Sequence, residues 1–318
     1  MENPESTSPG QKKGGSWLRT GGTVISILLF IWLITSFGWQ ELLESLLQIK
    51  LSAIIISFIL AMLSRFAISL RWYFLCKSNA IKLSIKKAIE ITFAGLYASN
   101  FLPSTIGGDV VRYFGLVQLD PQKVKSAGSL IMDRLVGMFG MALVLPIGLV
   151  RLVPLLLEGK LPPVNGNDSL DAVLIMLPAS VAKLFQKGKR ALLQLLNQIR
   201  NWLMHPVTLL APILMTLIHM ALLFVIVKLI FAGMGDQVPF FIIAGLYSVG
   251  YFITLIPISI NGYGLQEISM TFLFVNIAGV TTSHAVIMAL IIRFLMMAAS
   301  LPGLIYLPKL LPEKKIAK

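Results

Sequence analysis

The sequence predicts an all-α polytopic membrane protein, and three observations support this fold class. Hydrophobic residues make up 56% of the 318 residues and charged residues only 13%, with a mean hydropathy of +0.83. Apolar runs recur along the chain between short charged loops. Two of these runs are broken at matching places by proline and glycine. Together they predict about six full transmembrane helices plus two re-entrant broken-helix hairpins in an inverted-repeat arrangement.

Composition also argues against several other classes of protein. A single cysteine, Cys76, excludes an internal disulfide framework, and the three histidines are too scattered to suggest a metal cluster. We therefore expect no cofactor. The net charge of +13 would suggest nucleic-acid binding in a soluble protein. Here the cations lie between apolar spans, so they indicate a membrane surface and no nucleic-acid partner.

The amino-terminal part sets the predicted orientation. Residues 1–22 are polar and read as a disordered cytoplasmic tail, and a single transmembrane domain is expected over 23–308. Residues 23–37 form the first span; a cleaved signal peptide is the alternative, but no small-residue cleavage pattern follows. Glu41 and Glu44 mark the outer side, and 51–72 returns the chain to a basic loop. Both termini are therefore expected in the cytoplasm, in the cell membrane.

The remaining spans follow from the same rules. A long apolar run opens at Asp133-Arg134 and ends near residue 157, before a turn-rich acidic outer loop. A weak span at 172–185 precedes a basic amphipathic helix at 187–203 that is expected to lie on the inner membrane surface. Further on, the sequence predicts a span at 206–231, a hairpin at 240–276, a final span at 285–307 and a basic cytoplasmic tail at 309–318.

The first hairpin is predicted at 88–117, where Pro103 and the pair Gly107-Gly108 break an apolar run. Lysines both precede and follow this segment, so it enters and leaves on the cytoplasmic side. The break leaves backbone groups that lipid cannot satisfy. It must therefore be buried in protein or line a wet cavity, which makes it a candidate site.

A related break occurs in the second half. When Pro103 is placed on Pro257, Gly108 falls on Gly262, and Ala-Gly-Leu-Tyr precedes each break. A helix that restarts after such a glycine presents unpaired amide hydrogens and a partial positive charge, which suit an anion such as a lipid phosphate. The alternative is a pair of ordinary proline kinks packed through small residues.

Several ionisable side chains lie within the predicted spans. Asp109 and Glu267 fall in the first turns of the restarting helices, and Asp109 is spaced to pair with Arg112. Arg71 is interpreted as an anchor whose long side chain reaches the headgroups. Arg65 lies deeper, so anchoring and a role in a cavity are both open.

These motifs, in their order and spacing, resemble the flippase-like transmembrane region of the lysylphosphatidylglycerol synthases. The resemblance covers nearly the whole chain, from Arg71-Trp72 to Arg293. Residues 103–112 are similar to the family's Pro-x-x-x-Gly-Glu-x-x-Arg element, and 133–135 to its Glu-Arg-Leu. Residues 257–267 are similar to its Pro-x-Ser-x-Gly-Gly-x-Gly-x-Arg-Glu. The chain looks like a stand-alone member without the soluble synthase domain.

The chain departs from the family pattern at four positions. Asp109 and Asp133 replace glutamates, Asn261 replaces a glycine, and Gln266 replaces the arginine before Glu267. The last change removes a cation and puts a shared anionic substrate in doubt.

The resemblance implies movement of a polar-headed or anionic lipid, phospholipid or polyprenyl-linked, between leaflets, and the inverted hairpins suit alternating access. The alternatives are a membrane-embedded aminoacyl or glycosyl transferase with Asp109, Asp133 or Glu267 as base, or an accessory subunit of such an enzyme. A membrane lipid is the expected substrate, and a lipid-modifying enzyme is a candidate partner. The candidate substrate-binding residues are Pro103, Gly107, Gly108, Asp109, Arg112, Asp133, Arg134, Pro257, Ser259, Asn261, Gly262, Gly264, Gln266, Glu267 and Arg293, with Arg65, Arg71 and His219 as further candidates.

Overall fold

The computed structural model describes residues 39–101, 107–120, 122–157, 207–255 and 264–310. Within these ranges all regular secondary structure is helical, which confirms the all-α class. The helices are α1 (Trp39–Gln48), α2 (Leu51–Ser78), α3 (Ile85–Ser99), α4 (Gly107–Leu119), α5 (Lys123–Leu157), α6 (Val207–Gly233), α7 (Phe240–Thr254), α8 (Leu265–Ala278), α9 (Thr282–Ala298) and α10 (Gly303–Leu310).

Three of the described helices, α2, α5 and α6, are long and apolar enough to cross a bilayer. The 28 residues of α2 rise by about 42 Å, against a hydrocarbon core of about 30 Å. The predicted spans at 23–37 and 172–185, the surface helix at 187–203 and the tail at 1–22 lie outside the described residues. The count of six spans therefore stays a prediction.

The final span differs from the expected continuous helix at 285–307. The chain bends by 53° between α9 and α10, and this bent pair is a fourth candidate span. Pro302 lies at the bend and has no amide hydrogen to continue the helix, whereas it suits the residue just before a new helix begins. The fifth helix also begins earlier than predicted, at Lys123 rather than near Asp133.

Helix starts follow local side-chain chemistry. The side chain of Ser84 accepts a hydrogen bond from the Lys87 amide at the start of α3, and Thr281 caps α9 in the same way. At the start of α8, Gly264 has φ +78°, a conformation that favours glycine. Its amide donates to the Glu267 carboxylate at 2.9 Å, so Glu267 holds the first turn in place.

The first short helix pair, α3 and α4, forms an antiparallel hairpin joined at its closed end by residues 102–106. Gly95 faces Gly108 near the closed end, and Ile91 faces Gly115 toward the open end. At 15 and 13 residues the helices rise by only about 20 Å, which is short of a membrane crossing.

A second short pair, α7 and α8, has nearly the same dimensions, with 15 and 14 residues. Gly250 in α7 lies against Met270 and Leu273 in α8, and residues 256–263 join the two helices at their closed end. The depth of both hairpins in a membrane stays a prediction, but their lengths fit re-entrant segments.

Helices α2 and α6 pack antiparallel along their whole length. Ile49, just before α2, lies against Gly233 at the end of α6, and the Ser64 hydroxyl lies 2.6 Å from the His219 ring. Near the other end, Leu75 and Leu209 share one buried cluster. A long helix thus precedes each short pair, α2 before α3 and α4 and α6 before α7 and α8, and α6 runs opposite to α2.

The two hairpins consequently open at opposite ends of the molecule. The open end of α3 and α4 follows the end of α2, and Gln118 donates to the carbonyl of Leu310 there. The open end of α7 and α8 lies at the other end, where His284 contacts Asp236 at 2.8 Å. The first of these ends, called the lysine end below, carries Lys77, Lys82, Lys86, Lys87, Lys123, Lys125 and Lys309.

The largest buried cluster lies among α6, α7, α8 and α9, where the Phe231 and Phe274 rings are 5.0 Å apart. A smaller cluster surrounds the fully buried Trp72 near the lysine end. Many large apolar side chains face outward instead, as expected where lipid replaces water. Among the most exposed are Leu47, Leu51, Val150, Leu210, Phe241 and Phe294.

Candidate functional site

A cavity of about 230 Å³, called the central cavity, is lined by residues of α2, α5, α6, α7, α8 and α9 and by Asn100. Arg65 and His219 line it, and they are the fifteenth of 28 residues in α2 and the thirteenth of 27 in α6. The cavity is therefore halfway along the antiparallel long helices. Its lining residues are Arg65, Asn100, Met141, His219, Leu223, Tyr247, Tyr251, Gln266, Ile292, Arg293, Met296 and Met297.

The closed ends of both hairpins contribute to the central cavity. Asn100 directly follows α3, and its side-chain amide donates to the Ser300 hydroxyl at 2.8 Å. Gln266 lies in the first turn of α8 and lines the same cavity. Two hairpins that open at opposite ends thus approach each other at the same cavity.

Arg65 places a positive charge on the cavity wall. Its Nη2 donates to the carbonyl of Met296 at 3.0 Å, while its buried Nε has no hydrogen-bond partner. Among the described residues no carboxylate pairs with this guanidinium. The structure therefore places Arg65 inside the protein, on the cavity, rather than at the headgroups.

Arg293 brings a second guanidinium to the cavity. It donates from Nε to the Glu267 carboxylate and from Nη2 to the Gln266 Oε1 at 3.0 Å. Glu267 is 1% exposed and also accepts from the Gly264 amide. The glutamine that replaces the family's arginine therefore orients the cation supplied by α9.

Five ionisable residues form a second group, the charge chain, that joins α2, α4 and α5. Arg71 donates to Asp133 at 2.6 Å, and Arg112 donates to Asp133 at 2.9 Å. Arg112 also donates to Asp109 at 3.1 Å, and Arg134 donates to Asp109 at 2.5 Å. Each carboxylate thus bridges two guanidiniums, and the pairing of Asp109 with Arg112 expected from their spacing is present.

Packing around Trp72 holds the middle of the charge chain. The Arg112 guanidinium lies 4.4 Å from the centre of the Trp72 ring, a favourable cation–π arrangement. The Trp72 indole donates to the Ser129 hydroxyl at 3.3 Å, which ties α2 to α5. A side chain at Gly137 would approach the Arg71 guanidinium to 3.1 Å, so glycine leaves the space that Arg71 occupies.

The anchoring interpretation of Arg71 is wrong. The residue is 8% exposed and is held by Asp133, so its charge is neutralised inside the protein instead of reaching the headgroups. The sequence did not show this because the partner lies 62 positions away on another helix. A buried guanidinium with a carboxylate partner has no reason to extend toward water.

The charge chain and the central cavity are separate. Arg71 lies six residues beyond Arg65 along α2, or about 9 Å nearer the lysine end. None of the five residues of the charge chain lines the cavity. Of the predicted site residues, four line the cavity, Arg65, His219, Gln266 and Arg293, whereas the charge chain lies between the cavity and the lysine end.

Gly108, the second glycine of the first break, serves helix packing in this structure. A Cβ at Gly108 would lie 2.5 Å from the Gly95 carbonyl oxygen, so this glycine permits the close contact of α3 and α4. Helix α4 already begins at Gly107. Neither glycine lines the cavity. Five further predicted positions lie outside the described residues: Pro103, Pro257, Ser259, Asn261 and Gly262.

Several cavity residues were not predicted from the sequence. Asn100 and Tyr247 adjoin the paired breaks, and Tyr247 ends one of the two Ala-Gly-Leu-Tyr segments, which is the signal that could have identified it. Tyr251 follows one helical turn later. The described residues contain no group of three or more His, Cys, Asp or Glu side chains placed to hold a metal ion.

Comparison with known proteins identifies the family. A search of curated proteins gave no match. The family model described as the lysylphosphatidylglycerol synthase TM region matches residues 20–303, which include α1 to α9 and the first residue of α10. The chain is therefore an integral membrane protein that belongs to the lysylphosphatidylglycerol synthase transmembrane region family.

Proposed function

We propose that this protein moves a polar-headed lipid, a phospholipid or polyprenyl-linked lipid, between the two leaflets of the cell membrane. The observation that carries the proposal is the central cavity, which lies halfway along α2 and α6 and between the closed ends of two oppositely directed hairpins. Transporters built from inverted repeats bind substrate at this position.

The lengths of the helices support the proposal. Hairpins that rise by about 20 Å reach the middle of a core of about 30 Å without crossing it. A headgroup in the central cavity would then be shielded from lipid by one hairpin on each side. Movement of one hairpin at a time would open the cavity to one leaflet at a time, which is alternating access.

The distribution of charge supports an orientation. Lysines gather at the lysine end, whereas the other end combines Glu44 and Asp236 with Lys50 and Lys228. By the positive-inside rule the lysine end faces the cytoplasm, and the described carboxyl-terminal residues lie with it. The charge chain then forms the cytoplasmic floor of the cavity.

The contacts of the carboxylates disfavour the transferase alternative. A transferase of this kind would use Asp109, Asp133 or Glu267 as a general base, yet each accepts hydrogen bonds from one or two arginines. These hydrogen bonds occupy carboxylate oxygens that a general base would have to direct at the substrate. A lipid-modifying enzyme as partner stays a prediction.

Leaflet exchange in proteoliposomes tests the proposal. The lipid probe is phosphatidylglycerol with a dithionite-sensitive fluorophore on one acyl chain. The protein variant carries two cysteines for crosslinking, Asn100→Cys and Gln266→Cys. The purified wild-type chain should expose inner-leaflet lipid to dithionite. A short cleavable crosslinker with two thiol-reactive groups should bridge the hairpin ends and stop exchange, and cleavage should restore it.

Each single-cysteine variant treated with the same reagent is the matched control. The native Cys76 is fully buried and should not react. The proposal fails if wild-type liposomes protect the same fraction of lipid as protein-free liposomes. It also fails if bridged and cleaved proteins exchange lipid at the same rate.

A further inference from the structure

We infer that the central cavity takes the phosphate of an anionic lipid headgroup between Arg65 and Arg293, and that it excludes cationic, aminoacylated headgroups. The inference rests on the proposed function and assigns its substrate class. It concerns the sign of the headgroup charge, which the family does not determine for this chain.

The first argument is the charge of the cavity wall. Two guanidiniums, Arg65 and Arg293, line the cavity, and no Asp or Glu is among its described lining residues. The nearby carboxylate, Glu267, is engaged by Arg293 and by the Gly264 amide. One uncompensated positive charge therefore remains, on Arg65.

The second argument is the unfilled hydrogen-bonding capacity of Arg65. Its buried Nε lacks a partner within the described part of the chain, and its one hydrogen bond is to a neutral carbonyl. A buried charge without a counter-charge is costly, and so is a buried donor without an acceptor. A phosphate oxygen at this position would supply both the charge and the acceptor in a charge-assisted hydrogen bond.

The third argument is size. The cavity of about 230 Å³ is below the range of roughly 300–1,000 Å³ that encloses drug-sized ligands. It is suited to a single phosphate with a small polar group, while the acyl chains remain in the membrane. Asn100, Tyr247 and Tyr251 add polar atoms to the wall that suit a hydroxyl-bearing headgroup.

The positive charge of the cavity wall disfavours an aminoacylated headgroup. A lysyl ester of phosphatidylglycerol carries two ammonium groups beside one phosphate, so its headgroup is a net cation. Its ammonium groups would need carboxylates, and the described cavity wall offers them two guanidiniums instead. Like charges in a low-dielectric cavity repel strongly. The cavity should therefore distinguish these two lipids even though they share the phosphate.

Ligand-induced stabilisation of the purified full-length chain in detergent tests the inference. The probes are dioctanoyl phosphatidylglycerol, its lysyl ester and soluble glycerol phosphate, each titrated against the unfolding midpoint. The variant is Arg65→Gln, and the matched control is Arg151→Gln, an exposed arginine far from the cavity. Arg65→Lys serves as a second variant that keeps the charge.

Phosphatidylglycerol should stabilise the wild type and Arg151→Gln equally, whereas the lysyl ester should bind at least about tenfold more weakly. Arg65→Gln should weaken phosphatidylglycerol binding by about tenfold or more, as expected for the loss of a charge-assisted hydrogen bond. It should not lower the midpoint without lipid, because it removes an uncompensated charge. Arg65→Lys should bind with intermediate affinity.

Three results would overturn the inference. They are equal binding of the lysyl ester and phosphatidylglycerol, unchanged phosphatidylglycerol binding in both Arg65 variants, and stabilisation by glycerol phosphate equal to that by phosphatidylglycerol, which would identify a free-anion site. The lipid-moving function is judged separately. Rapid exchange of the lysyl ester in liposomes would refute this assignment of the substrate but leave the proposed lipid translocation intact. Selective binding of phosphatidylglycerol without any exchange would refute translocation but leave the assignment of the bound lipid intact.

Discussion

Asp133→Asn is expected to be among the most destabilising conservative changes in the described part of the chain. Asp133 is 2% exposed and accepts from Arg71 at 2.6 Å and from Arg112 at 2.9 Å. The amide keeps the shape of the side chain but removes its charge. Arg112 would still have Asp109, whereas Arg71 would keep no carboxylate among the described residues.

The magnitude follows from burial. Removing one partner of a buried ion pair costs about 3–5 kcal/mol, since the remaining charge stays buried and uncompensated. For a chain of this size that corresponds to a fall in the apparent unfolding midpoint on the order of 10 °C. The matched control is Glu90→Gln, which breaks the ion pair with the half-exposed Lys87. A helical pair of that kind contributes only about 0.2–0.5 kcal/mol.

The assay is thermal unfolding in detergent at one fixed heating rate, followed by size-exclusion chromatography. The double variant Asp133→Asn with Arg71→Gln should recover part of the loss, because it removes the guanidinium left without a partner. If Asp133→Asn melts within a degree or two of Glu90→Gln, the buried network does not stabilise the fold and the reasoning is refuted.

Two further predictions concern packing and orientation. Gly108→Ala should destabilise the protein by about 1–3 kcal/mol, because its Cβ would meet the Gly95 carbonyl oxygen at 2.5 Å. Gly115→Ala should cost less, since the nearest atoms are side-chain carbons at 3.2 Å; equal midpoints for the two variants would contradict this. Gln237→Cys, at the end opposite the lysines, should react with a membrane-impermeant thiol reagent in intact cells. Lys82→Cys should react only after permeabilisation. Labelling of Lys82→Cys in intact cells, with Gln237→Cys labelled only after permeabilisation, would show that the proposed orientation is wrong.

The hairpins show how much of the fold local sequence can specify. Proline and glycine disfavour a helix where they cluster, so the breaks near residues 103 and 257 could be located without a structure, although single prolines such as Pro146 and Pro212 lie inside long helices. Helix lengths on either side then followed from the distance to the next break. The first-turn positions of Asp109 and Glu267 are equally local, as is the pairing of Asp109 with Arg112 three residues later.

The bend between α9 and α10 shows the limit of the same reasoning. Residues 285–307 are apolar throughout most of their length, so composition alone predicts one span. The chain turns near Pro302, which has no amide hydrogen, and Gly303 lets α10 lie directly on the backbone of α3 at Phe93. Contact with a helix some two hundred positions earlier is not encoded in any local window.

The candidate site likewise has some features that local sequence specifies and others that depend on long-range contacts. Sequence alone determined the membrane class, the paired helix breaks, the clustering of lysines at one end and the family, because each depends on residue type and short-range spacing. Only the tertiary structure decided what the buried arginines do. Arg71 pairs with Asp133 and Arg65 faces a cavity, although both are arginines on one helix six residues apart. Their roles differ because the rotation and depth of α2 against its neighbours place a carboxylate beside one guanidinium and an open space beside the other.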